Sequence, residues 1–193
     1  MRKFLLVLSL LSFYPLMLPA QPNRVPTAPS PTPTWRDRVD EAMPLLGHRN
    51  WILIVDSAYP LQTSTGIETI ETNADQSEVV REVLRAINRS IHVRPVITMD
   101  SELRFVSEDE APGVTAYRNN ITDMLRDFPV TTLPHEQIIS QVAQAGEQFH
   151  ILVLKTNMTV PYTSVFISLD CKYWSAESEA RLRAKIAAAN PKP

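Results

Sequence analysis

The sequence predicts an α/β layered domain, on three observations. Trp51–Val55 is a continuous apolar run, too short for a bundle helix and rich in β-branched residues, so it reads as a strand buried on both faces. Comparable runs return at residues 93–99, 149–155 and 162–169. Between them lie segments with apolar residues at helical spacing, and strands separated by helices build a sheet covered by helices. No internal repeat is visible.

Residues 35–46 place Val39, Met43 and Leu46 on one face among charges, which predicts a helix stopped by Gly47 and weakened in its last turn by Pro44. After the strand at Trp51–Val55, residues 61–72 are rich in Thr and Ser and read as a loop leading into a short strand with Ile67 and Ile70. Asp75 with Glu78 three residues on predicts a capping box, and Val79, Val80, Leu84 and Ile87 share the face of a helix running to about Ser90. Pro95 stands near the start of the strand at 93–99. Residues 101–112 are acidic and read as solvated; 116–128 is a helix ended by Pro129. Val130, Thr131 and Thr132 form a short strand that leads into a helix over 134–145. Ser175 caps a final amphipathic helix over 175–189, with Glu177 and Glu179 in its early turns.

The first 20 residues carry a charged start (Arg2, Lys3), an apolar stretch over 4–18 and the small residue Ala20, the pattern of an export signal. The stretch is broken by Pro15 and falls short of the roughly 20 residues of a spanning helix, which favours cleavage over a retained anchor. Residues 21–34 hold five prolines and almost nothing apolar, so they read as an extended spacer. Residues 35–193 then suit one domain with one core. The expected product is an exported protein, periplasmic or secreted, with no membrane attachment after cleavage. Its net charge of −2 and lack of a basic stripe argue against nucleic acid as a partner. The one cysteine, Cys171, excludes an internal disulfide and reads as a buried, inert residue.

Several chemistries are excluded by spacing. The four glycines are scattered, so no phosphate-cradling loop exists. Four residues after His135 stands Ile139, where a zinc protease helix needs its second histidine. There is no Gly-x-Ser-x-Gly elbow, and the four histidines are too dispersed to define a metal site. What remains is polar chemistry at element ends: His48 before the first strand, Asp56 after it, and His135 at a helix start. Each also fits a plainer role, as a turn histidine, a strand-end turn aspartate and a helix-initiating polar residue. A strand that ends in an ionised carboxylate brings it to the edge where open α/β sheets bind ligands.

The order of a helix, Leu46-Gly47-His48, a hydrophobic strand, Asp56 and a turn with Pro60 resembles the N-terminal half of the D-ribose pyranase and L-fucose mutarotase family. Thr131-Thr132 followed by His135-Glu136-Gln137 resembles that family's Thr-Thr-His-Glu-Gln segment with two residues inserted. Pro161-Tyr162-Thr163-Ser164 resembles its Tyr-(Ala/Gly)-Asn turn, and the likeness spans about residues 35–169. The resemblance implies a three-layer α/β/α fold with a mixed central sheet, assembled into ring-shaped homo-oligomers in which a neighbour can complete the pocket. It implies that His48 is the general acid of ring opening and that Asp56, His135, Tyr162 and Ser164 bind a monosaccharide, with no metal or cofactor. This chain departs from the pattern at Asn50, where the family has a carboxylate near the histidine, and at Ser164, where it has Asn. An amide in place of a charge removes support for the imidazolium of His48.

The residue types suit such chemistry. Interconverting sugar ring forms needs one proton delivered to the ring oxygen and another removed from the anomeric hydroxyl, and an unperturbed histidine titrates near pH 6.5. The sequence thus supports a mutarotase or pyranase, with a non-catalytic monosaccharide-binding protein as the alternative and a structural domain as a third, weaker reading.

Overall fold

The computed structural model describes residues 32–190. The export signal, and the spacer up to residue 31, lie outside them. Thr34, the end of that spacer, caps helix α1 (Trp35–Ala42) in a reciprocal box with Asp37: its hydroxyl accepts from the Asp37 N–H, and the Asp37 carboxylate accepts from the Thr34 N–H at 2.8 Å. The helix ends at Ala42 instead of running to Leu46, because Pro44 has no N–H to continue the ladder. At Asp75 the expected box is only half made. Asp75 accepts from the Ser77 and Glu78 N–H groups, but the Glu78 side chain pairs with Arg36.

Six strands form one sheet: β1 (Trp51–Val55), β2 (Ile67–Glu71), β3 (Val93–Asp100), β4 (Val130–Leu133), β5 (Ile151–Lys155) and β6 (Val165–Cys171), in the order β2-β5-β1-β6-β3-β4. All pairings are parallel except those of β6, which runs antiparallel to both β1 and β3. The sheet is therefore mixed. Five strands deliver their C-terminal ends to one edge, and β6 enters the sheet from that same edge.

Side chains alternate along β1. Ile52 and Ile54 join one core with α1, α2 (Gln76–Arg89) and α3 (Val114–Met124), while Leu53 and Val55 join a second core with α4 (His135–Gly146). Two cores on opposite faces of one sheet make three layers, as expected for a fully buried strand. Phe166 on β6 is completely buried in the α4-side core.

Three expectations need correction. The acidic stretch after β3 is not simply solvated: it folds into a 3₁₀ turn (Ser101–Phe105) that buries Leu103, and Ala111 is buried further on. Glu108 there accepts from the N–H groups of Gly113 and Thr115, supplying the first turn of α3 with the acceptor that Gly113 lacks. The last helix, α5 (Ala176–Ala189), forms and is capped by Ser175, but among the described residues it buries none of its own. Its apolar pair Leu182 and Ile186 stays exposed, because Ala at most other apolar positions gives too little area to anchor the helix to the domain. Cys171 is half-buried at the end of β6, where the sheet edge leaves it partly open.

A cleft at the C-terminal edge of the sheet

The topology sets side by side the residues that end β1, precede β6, end β3 and follow β4. These are Asp56, Tyr162, Asp100 and His135. Asp56, His135 and Tyr162 line one open cleft of about 600 Å³ together with Tyr59 and Gln62. Its volume lies within the range of small-molecule sites.

Each wall has a local cause. Asp56 closes the turn after β1 by accepting from the Ala58 N–H at 2.8 Å, which holds its carboxylate at the strand end. Tyr162 occupies a turn at φ +60°, in the left-handed region. That turn is held from beneath by a buried network: Gln76 and the Tyr117 hydroxyl both donate to the Thr163 carbonyl, and Thr156 donates to Gln76 Oε1 at 3.0 Å. His135 opens α4 behind Pro134, which has no capping side chain, so Glu102 caps from outside the helix by accepting the His135 N–H at 3.0 and 3.2 Å. That bond holds the Glu102 carboxyl below its usual range.

The His135 ring is fixed on two further sides. Its Nδ1 lies 3.0 Å from Asp100 Oδ1, and its ring meets that of Tyr162 edge to face at 5.6 Å and 81°. The Asp100 side chain is fully buried. Burial pushes its carboxyl pKa up, against the opposing hydrogen bond and charge of His135. Tyr59 is buried as well; burial, then the charges of Asp100 and Asp56, push its hydroxyl to about 12. Tyr59 Oη, Gln62 Oε1 and Asp100 Oδ2 are buried without a hydrogen-bond partner among the described residues. Polar atoms in that state are the usual hosts of water or of ligand hydroxyls.

Two residues expected at the sugar stand elsewhere. Ser164 is buried at the entry to β6 and does not line the cleft, whereas Tyr162, two residues earlier in the turn, is exposed and does. His48 stands at the opposite end of β1 from Asp56. The four steps of about 3.3 Å from the first to the last of its five residues separate the two ends by about 13 Å, so one chain cannot bring both to one monosaccharide.

His48 is exposed, and its Nδ1 lies 3.1 Å from Asp170 Oδ1. The register explains this contact. The turn before β1 extends the β1–β6 pairing through Arg49 N–H to Leu169 O and Leu169 N–H to Asn50 O, which carries His48 to the end of β6. Arg94, directly across on β3, donates to Asp170 Oδ2 through Nε at 2.9 Å. Desolvation raises the Asp170 carboxyl, but the bond and charge of Arg94, with His48 behind them, hold it net below the usual range. The expectation that Asn50 leaves His48 without a negative partner is therefore corrected: the carboxylate comes from another strand. Asn50 itself braces the turn, accepting from Gly47 N–H at 2.7 Å and donating to the His150 carbonyl at 3.1 Å.

Asp100, Glu102, Tyr59 and Gln62 escaped the sequence reading. Asp100 had a signal, since it ends an apolar strand as Asp56 does. Glu102 was masked within an acidic stretch, and Tyr59 and Gln62 within a turn.

A parallel-rich sheet with an aromatic-walled cleft at its carboxyl edge, carrying Asp56 and His135, defines an α/β protein with a cleft of small-molecule size where open α/β sheets bind ligands. A model of the RbsD / FucU transport protein family matches residues 36–170, more than half of the chain, and the protein belongs to that family. Among solved structures it is similar to RbsD from Bacillus subtilis complexed with D-ribose, at 12% identity over 68% of this chain and 89% of that chain, with a TM-score of 0.49. It is also similar to the fucose mutarotase from Streptococcus pneumoniae in complex with L-fucose, at 16% identity over 66% and 87%, TM-score 0.45. FucU from Bifidobacterium longum matches at 13% identity over 68% and 90%, TM-score 0.48. Comparison with curated proteins gave no match.

Proposed function

We propose that the protein binds a monosaccharide in the cleft of Asp56, His135 and Tyr162 and interconverts its ring forms by acid/base proton transfer, as a mutarotase or pyranase. The observation that carries this reading is the convergence on one cleft of three residues far apart in sequence, in a member of the RbsD / FucU family. Asp56 accepts from sugar hydroxyls, Tyr162 offers an aromatic face and a hydroxyl, and His135 contributes a titratable ring. His48 is the general acid of ring opening. Its place at the other end of β1 requires that it act on the cleft of a second copy, within a homo-oligomeric ring. The export pattern over residues 1–20 makes the proposed setting the periplasm or the exterior.

The alternative is sugar binding without catalysis, favoured by the separation of His48 from the cleft within one chain. Exchange NMR on ribose, fucose, galactose and glucose decides between them. Catalysed anomer exchange by the purified protein, lost in His48→Ala with the fold intact, is the expected result. Line broadening of a bound sugar with no acceleration establishes the binding protein instead.

A further inference from the structure

We propose that His135 is a proton-accepting base in the cleft and that Asp100, buried behind it, is the positioning residue that aims it; this rests on the sugar reading above. A histidine that served only to hydrogen-bond a sugar hydroxyl would need no charge at its back. Here a carboxylate with a completely buried side chain stands 3.0 Å from Nδ1. Burying a carboxylate is costly unless it is paired, and its second oxygen has no partner among the described residues. The His135 ring is therefore its principal compensation.

With Asp100 ionised beside the ring, its carboxylate only accepts, so Nδ1 carries the proton toward Asp100 and Nε2 keeps its lone pair. Nε2 has no hydrogen-bond partner among the described residues, and the ring lines the cleft. The edge-to-face contact with Tyr162 and the bond from the His135 N–H to Glu102 hold ring and backbone in that pose. When Nε2 takes a proton, the imidazolium that forms faces the Asp100 carboxylate.

The step balances without a cofactor. Nε2 removes the proton of the anomeric hydroxyl; the O–H electron pair becomes the second bond of the C1 carbonyl. The bond from C1 to the ring oxygen breaks, and the ring oxygen takes a proton from the acid proposed above. On reclosure the ring hydroxyl attacks either face of the carbonyl and hands its proton back to the acid, while the carbonyl oxygen takes the proton held by His135, giving either anomer. His48 and His135 thus divide the acid and the base between two ends of the fold.

The test combines exchange NMR with long-range ¹⁵N correlation spectra of the His135 ring, on the wild-type protein, Asp100→Asn and His135→Gln. In the wild type the ring proton should sit on Nδ1. In Asp100→Asn the amide can donate to Nδ1, so the proton should move to Nε2. Catalysed exchange should then fall about 100-fold or more, the scale of lost general base catalysis. Sugar affinity should stay within about threefold, the pattern of a group that acts on the barrier and not on binding. His135→Gln should lose the rate likewise, and supplies the test if Asp100→Asn does not fold. A ring proton on Nε2 in the wild type, or an undiminished rate in either variant, overturns the assignment while leaving the sugar reading standing. A wild-type protein that accelerates exchange of no sugar overturns both.

Discussion

A histidine on a turn swings freely unless one ring nitrogen is tied, and the residue that ties His48 is not its neighbour in sequence. Asp170 supplies the carboxylate from β6, and Arg94 on β3 holds Asp170 in place. Asn50 is thereby released for another task, the double brace between Gly47 and the His150 carbonyl. That assignment carries a prediction. Asn50→Asp introduces a carboxylate beside His48, but it removes the N–H donor and sets a carboxylate against a carbonyl. The variant should lose stability by about 1–3 kcal/mol, the cost of an unpaired, partly buried polar group, and should gain no catalytic rate. Urea unfolding and exchange NMR measure the two effects; a more stable or faster variant would show that the brace is dispensable.

At the scale of the element, β6 does the most to shape the site. It is the one antiparallel strand of the six described, and it lies between β1 and β3, so its entry turn falls between their carboxyl ends. Tyr162 therefore stands between Asp56 and Asp100 without any long loop to carry it there. The strand is anchored by Phe166, which fills the core against Ile138 and Val142 of α4. Phe166→Ala should destabilise the domain by about 3–5 kcal/mol, the usual range for an emptied aromatic site. Because α4 begins with His135, the same cavity should loosen the cleft and weaken sugar binding. Chemical denaturation with a sugar titration reports both; full stability in this variant would mean that the core repacks around the void. Helix α5 contrasts with β6, since it buries none of its residues and so adds little to the domain that the described residues show.

For the whole molecule, the decisive fact is that His48 and the cleft occupy opposite ends of one strand. If a ring of copies joins them, an interface must put the His48 end of one chain on the cleft end of the next. His48→Ala and Asp56→Ala should then each be inactive alone, yet recover activity when refolded together. In a random equal mixture about a quarter of the sites combine an intact cleft with an intact neighbouring histidine, so recovery toward about a quarter of the wild-type rate is expected. No recovery in mixed oligomers would remove the neighbour from the mechanism.

Sequence by itself determined the layered α/β class, because short β-branched runs and helical apolar spacing report burial directly, residue by residue. It determined too that Asp56 and His135 stand at element ends, and the short motifs around them carried the family. It misplaced the end of α1, since one proline outweighed the apolar face, and it read α5 as an amphipathic helix when periodicity alone cannot say whether a face finds a partner. Tertiary structure alone decided the rest. Asp100 meets His135 across 35 residues and His48 meets Asp170 across more than a hundred, through a sheet order and register that no local pattern encodes. A strand's own composition fixes which of its faces are buried, whereas its neighbours, and with them every charge partner at its ends, follow from how the whole sheet closes around its core.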